Sequence, residues 1–403
     1  MQRISTFQMF RSGELALVAR QRELLETQAR IASGKRIAAP ADDPIGAADA
    51  TATRAALARF EQFKKNQDHA RYLLNLGEST LASFIGALQD VREKLVAAGN
   101  GAYSNAERKM LAGELRGLFD RLVGLANASD GAGGYLFAGS RETAPPFAHS
   151  GLSTSFNGDD TLLHLEVASD RFLRVKLSGD ALFLKMRPGN GIFITAAAPT
   201  NTGTGVIDAG AVVDPTALTG SAYTITFTVS GGATSYQVVR VSDNAVVASG
   251  SYHSPAAIEF DGQRVTITGS PANGDSFSTA PAPYRSVFDT VAAAIVALDA
   301  GASSPSAEAQ LRTALNSIQA SLEQALDHLL IKRAEVGAGL AELDGYERLN
   351  DDRQLEYRAR LSRVEDLDLA AGLSELSRRQ TTLEAAIRSY SAVSRLSLFD
   401  FLG

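Results

Sequence analysis

The chain of 403 residues carries 39 Lys and Arg against 45 Asp and Glu, a formal net charge of −6. That balance excludes the clustered positive charge expected of a nucleic-acid-binding protein. Cysteine is absent, which excludes disulfide staples and thiolate chemistry, while an apolar share of 45% suffices for a buried core.

The first stretch, to about residue 134, is rich in Ala, Leu, Glu, Arg and Gln, all good helix formers. Its opening, Met1 to Phe7, has neither a long apolar core nor a small-residue cleavage site, so no cleaved secretory signal is expected. Phe10, Leu17, Leu24 and Ile31 then recur every seven residues, with Val18 and Leu25 beside two of them. The complementary positions Glu14, Gln21 and Gln28 are polar, which leaves a narrow coiled-coil stripe that needs a partner. Ser33-Gly34-Lys35 closes this helix, since Gly suits the left-handed stop. Pro40 to Pro44 forces an extended connection, and Asp42 or Asp43 is placed to cap the next helix with Pro44 in its first turn. That second helix carries Leu74, Leu81, Leu88 and Leu95, interleaved by Phe84, Val91 and Ala98. After Gly99-Asn100-Gly101, Leu111, Leu115, Leu118, Leu122 and Leu125 alternate steps of four and three.

Between about 135 and 285 the period changes to two. Tyr223, Ile225, Phe227 and Val229 alternate with threonines, as in a half-buried strand. Leu163 to Val167 and Leu173 to Leu177 alternate likewise, and residues 258–267 predict a hairpin around Asp261-Gly262. No helical crossover separates these strands, so the pairing is expected to be antiparallel.

From about 286 the helical spacing returns through Leu311, Leu315, Ile318, Leu322, Ala325 and Leu329. It continues in Leu369, Leu373, Leu376, Gln380, Leu383, Ile387 and Tyr390. Helix, β, helix in one chain predicts an α+β fold, an elongated antiparallel coiled-coil rod built from both chain ends with a β-rich insertion. The expected divisions are a terminal coiled coil of 1–40 with 360–403, a helical rod of 41–134 with 286–359, and a β-rich domain of 135–285. No apolar run approaches the roughly 20 residues needed to cross a bilayer, so no membrane insertion is expected.

Chemistry finds little footing. His69, His149, His164, His253 and His328 are scattered, without a zinc-binding pair. The doublets Asp42-Asp43, Asp159-Asp160 and Asp351-Asp352 lie beside Pro, Gly or Asn, where acidic side chains serve turns and caps. The glycine clusters lack the full spacing of dinucleotide or phosphate loops, and Gly34-Lys35 is followed by Arg36 rather than Ser or Thr. No catalytic, cofactor-binding or metal-binding set is assigned. The half-polar seams at the two chain ends point instead to intermolecular pairing, since chain ends are poorly ordered unless something ties them down. Burying one Leu or Ile is worth roughly 1.5–3 kcal/mol. Ordering the backbone costs on the order of 1–2 kcal/mol per residue, so the ends are expected to gain order only beside neighbours.

Two motifs carry a resemblance. Ile31-Ala32-Ser33-Gly34-Lys35-Arg36-Ile37 followed by Asp42-Asp43-Pro44 resembles the N-terminal motif of bacterial flagellins and their junction relatives. Val364-Glu365-Asp366-Leu367-Asp368, Leu383-Glu384-Ala385-Ala386 and the ending Leu396 to Leu402 look like the flagellin-type C-terminal helix. The Asp-Asp-Pro form, the run Gly134 to Gly139 leading to Pro146-Phe147, and the Ser397 to Leu402 ending favour the hook–filament junction branch over filament flagellin. The resemblance covers about 1–150 and 330–403.

It implies a structural subunit of the extracellular flagellum, exported without a cleaved signal and delivered by an export chaperone. Its implied partners are copies of itself in a ring, hook-associated protein 1 and flagellin. The assembly seam is then Phe10, Leu17, Leu24, Ile31, Leu369, Leu373, Leu376, Leu383, Ile387 and Tyr390. The family motif is Ser33, Gly34, Arg36, Asp42, Asp43 and Pro44. Filament flagellin and, from another class, a coiled-coil surface adhesin with a β-rich head remain alternatives.

Overall fold

A computed structural model describes the backbone of residues 6–141 and 143–399, and the side chains of residues 8, 10–141 and 143–392. Three helices come first: α1 Thr6–Ser33, α2 Pro44–Ala98 and α3 Asn105–Ala126. A strand-rich region follows, and the chain ends in α4 Val287–Ala300, α5 Pro305–Glu365 and α6 Leu369–Phe399. The fold is therefore α+β, with long terminal helices and a central antiparallel β region. Two compact units are formed, Met1–Lys65 with Tyr346–Gly403, and Asn66–Gly345. Both cuts fall inside continuous helices, α2 and α5, the second directly after Gly345.

In the unit of residues 66–345, the seven-residue seam becomes core. Leu74, Leu81, Leu88 and Leu95 of α2 are buried together with Phe84, Val91 and Ala98. On α5, Leu311, Leu315, Ile318, Leu322, Ala325 and Leu329 are likewise buried. In α3 the inward face is Leu111, Leu115, Phe119 and Leu122, so the expected Leu118 and Leu125 sit at its margin. The helix starts on a capping box, in which Glu107 N donates to Ser104 Oγ (3.3 Å) and Ser104 N donates to Glu107 Oε2 (2.7 Å). Buried Arg108 gives both guanidinium arms to Glu308 of α5, at 2.7 and 2.8 Å.

An aromatic cluster joins these helices to the segment after α3. Phe183 stacks at 4.5 Å on Phe84, and Phe288 of α4 touches Phe84, Phe119, Phe147 and Phe183. Leu136, Phe137 and Ala138, from the run that favoured the junction branch, are buried here. Gly139 closes that run at φ 70°, a conformation suited to Gly. Beside it, Ser140 N and Thr161 N each donate to Asp159 Oδ1 at 2.9 Å. Hydrogen bonds from the Ser140 hydroxyl and backbone hold the Asp159 carboxyl far below the usual carboxylate range.

The strands are β1 Phe147–Ser150, β2 Ser153–Phe156, β3 His164–Ala168, β4 Arg171–Arg174, β5 Phe193–Ala197, β6 Val206–Ile207 and β7 Ala211–Val212. They continue as β8 Tyr223–Ser230, β9 Ala233–Arg240, β10 Val246–Ser251, β11 Ala256–Phe260, β12 Gln263–Thr268 and β13 Ser276–Pro281. One sheet has the order β10-β9-β8-β13-β5, and another has β11-β12-β6 with β7 also on β12. Every pairing among these strands is antiparallel. Tyr223, Ile225, Phe227 and Phe277 of the first sheet share one core with Ile258, Phe260, Val265 and Ile267 of the second. The predicted hairpin is present: Phe260 pairs Gln263 across Asp261 (φ 40°) and Gly262 (φ 76°), both left-handed as a two-residue turn requires.

Two details differ from expectation. β4 ends at Arg174, not at Leu177, because its antiparallel partner β3 begins at His164, the residue that pairs with Arg174. Asp351-Asp352 lies inside α5, where it serves no turn; Asp351 pairs with Lys64 at 3.6 Å. The neighbouring Asn350 is buried, and its side-chain amide donates to Phe60 O.

Candidate assembly surface

The two family motifs, more than 300 residues apart in sequence, meet. α1 ends at Gly34, whose φ of 68° turns the chain out of the helix. Lys35 then forms an antiparallel bridge with Asp366, between α5 and α6. Leu367 N donates to Gly34 O at 2.9 Å and Arg36 N donates to Glu365 O at 2.6 Å. Arg36 reaches both ways from this bridge: Nη2 donates to Val364 O (2.8 Å) and Nη1 to Asp43 Oδ2 (3.2 Å).

The Asp-Asp-Pro segment is built from caps. Ala38 N and Ala39 N donate to Asp42 Oδ2 at 3.0 and 2.9 Å, and Arg30 of α1 donates to Asp42 Oδ1 at 3.1 Å. Asp43 is the residue that caps α2, taking Gly46 N on Oδ1 at 2.9 Å, with Pro44 as the first helical residue. The Ala39 and Ala38 amides, then Arg30, hold the Asp42 carboxyl below its ordinary range. The Gly46 amide, against some desolvation and with help from Arg36, does the same for Asp43. Ser33 is local, donating to Arg30 O at 3.1 Å and accepting from Lys35 N at 3.3 Å. A Cβ on Gly46 would lie 2.6 Å from the Ile37 side chain, so buried Ile37 needs that glycine.

Glu365 is the charged side chain buried in this unit among the described residues. Lys35 Nζ donates to its Oε2 at 2.7 Å, and Arg54 of α2 forms an ion pair with Oε1. Burial pushes this carboxyl up, but the hydrogen bonds and charges of Lys35 and Arg54 outweigh it and leave it below the ordinary glutamate range. In the sequence Glu365 stands only as part of a motif, and Arg54 belongs to none. Nothing local to either residue signals a contact with position 35 or 365.

From this bridge α1 and α6 run back antiparallel. Phe10 meets Tyr390 edge-on at 6.3 Å, and a Cβ on Gly13 would lie 2.8 Å from Tyr390 Cδ2, so Gly13 is the seat of that ring. Midway, Arg379 Nη1 bonds Glu23 Oε2 at 3.0 Å. Near the bridge, Gly372 lies against Ile31 and Leu367. Phe10, Leu17, Leu24 and Ile31 of α1, and Leu376, Leu383 and Tyr390 of α6, are half-buried along this seam. The other predicted α6 positions are not: Leu369, Leu373 and Ile387 remain 53, 55 and 48% exposed. At 3.6 residues per turn, positions three and four apart spread over more than one narrow face, and α1 covers only the 376–383–390 edge. On α1 a second apolar row, Leu15, Val18 and Leu25, is 57–64% exposed. Val18 and Leu25 were visible in the sequence as neighbours of the seam; their placement on a separate face was not. In the single chain the end helices are thus paired along one face, and the apolar rows of the other face stay exposed. The side chains of the Leu396 to Leu402 ending lie outside the described residues.

Among the described residues no group of three or more His, Asp or Glu side chains is arranged to hold a metal ion. No helix there is long and apolar enough to cross a membrane.

Residues 4–142 match the family described as the bacterial flagellin N-terminal helical region. Residues 196–281 match the D2-like domain of flagellar hook-associated protein 1. The chain is similar to flagellar hook-associated protein 3 of Escherichia coli K12, 26% identical over 398 residues and 99% of both chains. Among solved structures it resembles flagellar hook-associated protein 3 of Legionella pneumophila, with 30% identity and a TM-score of 0.75 over 78% of this chain and 98% of that one. A structure of the flagellar junction protein FlgL from Legionella pneumophila gives 30% identity and a TM-score of 0.72 over 79 and 99%.

Proposed function

The chain belongs to the flagellar hook-associated protein 3 family, and we propose that it works as the structural subunit joining the flagellar hook to the flagellin filament. The observation that carries this reading is the pair of unused apolar rows on α1 and α6, beside a seam that is already closed. Large apolar side chains left on a helix pair in water gain by being covered, and contiguous apolar surface marks association sites. Copies of the same subunit in a ring would cover them laterally. Hook-associated protein 1 on one side and flagellin on the other would continue the packing along the axis; residues 4–142 match the flagellin N-terminal helical region and residues 196–281 a domain of hook-associated protein 1, which supports kinship with both. A flagellar export chaperone that masks the α6 row before export fits the same surface, as does export without a cleaved signal. The role is mechanical, and no reaction is assigned.

The test is complementation. The wild-type chain should restore swimming to a strain lacking its own hook–filament junction protein and should leave a flagellin-null strain non-motile. Leu373→Asp or Ile387→Asp should be expressed but leave the junction-null strain non-motile, with monomeric flagellin lost to the medium. Full swimming by either variant would remove these rows from the assembly surface. Rescue of the flagellin-null strain would move the chain to the filament.

A further inference from the structure

The seam between α1 and α6 is periodic, and periodicity leaves its register open. Seven-residue steps on both helices mean that sliding α6 by seven residues again sets large apolar side chains against large apolar side chains. The exposed Glu14, Gln21 and Gln28 do not discriminate, and the half-buried pair Glu23–Arg379 is a single solvent-accessible ion pair of modest worth. Gly13, the seat of the Tyr390 ring, favours the native register at the far end of the pair, since Arg20 a seven-residue step away carries a side chain there; near the chain connections the seam offers no such mark.

We propose that the bridge of residues 34–36 with 364–367, centred on the buried Glu365 held by Lys35 and Arg54, sets the register of α6 on α1. Glu365 is its positioning residue. The bridge has the geometry for this. Its two backbone bonds place Lys35 opposite Asp366, immediately after α1 ends at Ser33 and before α6 begins at Leu369. Little chain is left on either side to absorb a slip of seven residues, about 10 Å along a helix. Asp368 starts α6 without slack, taking Ala370 N at 2.9 Å and Ala371 N at 3.1 Å on its side chain. The backbone bonds alone lie at the edge of solvent. What keeps them is the carboxylate buried beneath them, which loses Lys35, one of its two cationic partners, if the two segments part.

This deepens the junction reading and rests on it for its consequence: the register decides which exposed residues of α1 lie beside those of α6, and so the shape of the surface offered to a neighbour. The chain has no cysteine, so paired cysteines report register cleanly. A short bifunctional thiol reagent is applied to the purified full-length chain, with Glu23→Cys/Arg379→Cys reading the native register. Glu23→Cys/Ala386→Cys and Glu23→Cys/Gly372→Cys read slips of seven residues in the two directions. With the bridge intact, only the native pair should cross-link. Adding Glu365→Ala should reduce that product several-fold and bring up a slipped one, while Lys35→Arg, which keeps a cation on Glu365, should preserve the native pattern. An unchanged pattern in Glu365→Ala would overturn the proposal, leaving the register to the seam. Loss of every cross-link in that variant would overturn it too, because Glu365 would then hold the helices together rather than in register. So would silence of all three pairs with the bridge intact. None of these outcomes depends on flagellar assembly, so a failure here leaves the junction reading to its own complementation test.

Discussion

The helices of the inner unit and those at the chain ends carry the same four-and-three spacing, yet only the inner ones use all of it internally. On α2, residues 74–98 bury every seam position, because α3, α4, α5 and the aromatic cluster around Phe183 and Phe288 surround them. On α1 and α6 the same pattern meets a single partner helix, and a whole row on each stays in water. An apolar period reports that a face seeks cover; the number of elements available decides whether it finds cover within one chain. For a subunit that must join others, the shortfall is where function resides.

Breaking the finished side of that comparison should have the largest effect. Phe288→Ala removes a fully buried ring from the centre of the inner cluster and should cost about 3–5 kcal/mol in chemical denaturation. Ser104→Ala, which removes the capping box of α3, should cost about 1 kcal/mol by the same measurement, with α3 amides exchanging faster. Acid sharpens the contrast from the other side. The carboxyls of Asp42, Asp43 and Glu365 are all held below their ordinary values in the folded chain. Their stabilisation is therefore complete above the unfolded carboxylate range of about 4 and is lost as pH falls through the lower folded values. The cations facing them are Lys35, Arg36, Arg54 and Arg30. The end-helix unit should loosen on acidification, followed by helical signal, and Glu365→Gln should flatten its part of that dependence. The smallest effect on the fold should come from Leu373→Asp, within about 0.5 kcal/mol of wild type in the monomer, as for any exposed site. A larger loss there would mean that Leu373 is covered within the chain, and the comparison would fail.

Much of the fold was legible before any coordinates. Gly34 as a left-handed stop, Asp43-Pro44 as a helix start and Asp261-Gly262 as a hairpin turn each follow from the backbone chemistry of a few adjacent residues. The change of period from seven to two and back placed the strands between the helices, and the motifs at both ends were enough to indicate the family. Local rules also misled where their context was missing: Asn350 and Asp351 read as a turn but lie in α5, where tertiary packing around Phe60 overrides weak propensity.

What only the tertiary structure decided is how the pieces share surfaces. Ten predicted seam positions were one class in sequence; the structure half-buries the four on α1 and divides the six on α6 into Leu376, Leu383 and Tyr390, packed on α1, and Leu369, Leu373 and Ile387, left exposed. A seven-residue repeat specifies an apolar stripe to within a face, while the crossing of two helices selects an edge of it. The meeting of Lys35 with Glu365 spans 330 residues of sequence, and no local preference of either side chain encodes it. The sequence by itself determined the kinds of element, their order and their caps, because those depend on neighbours along the chain. Which apolar row is covered, and which carboxylate ties the two ends together, depends on neighbours in space.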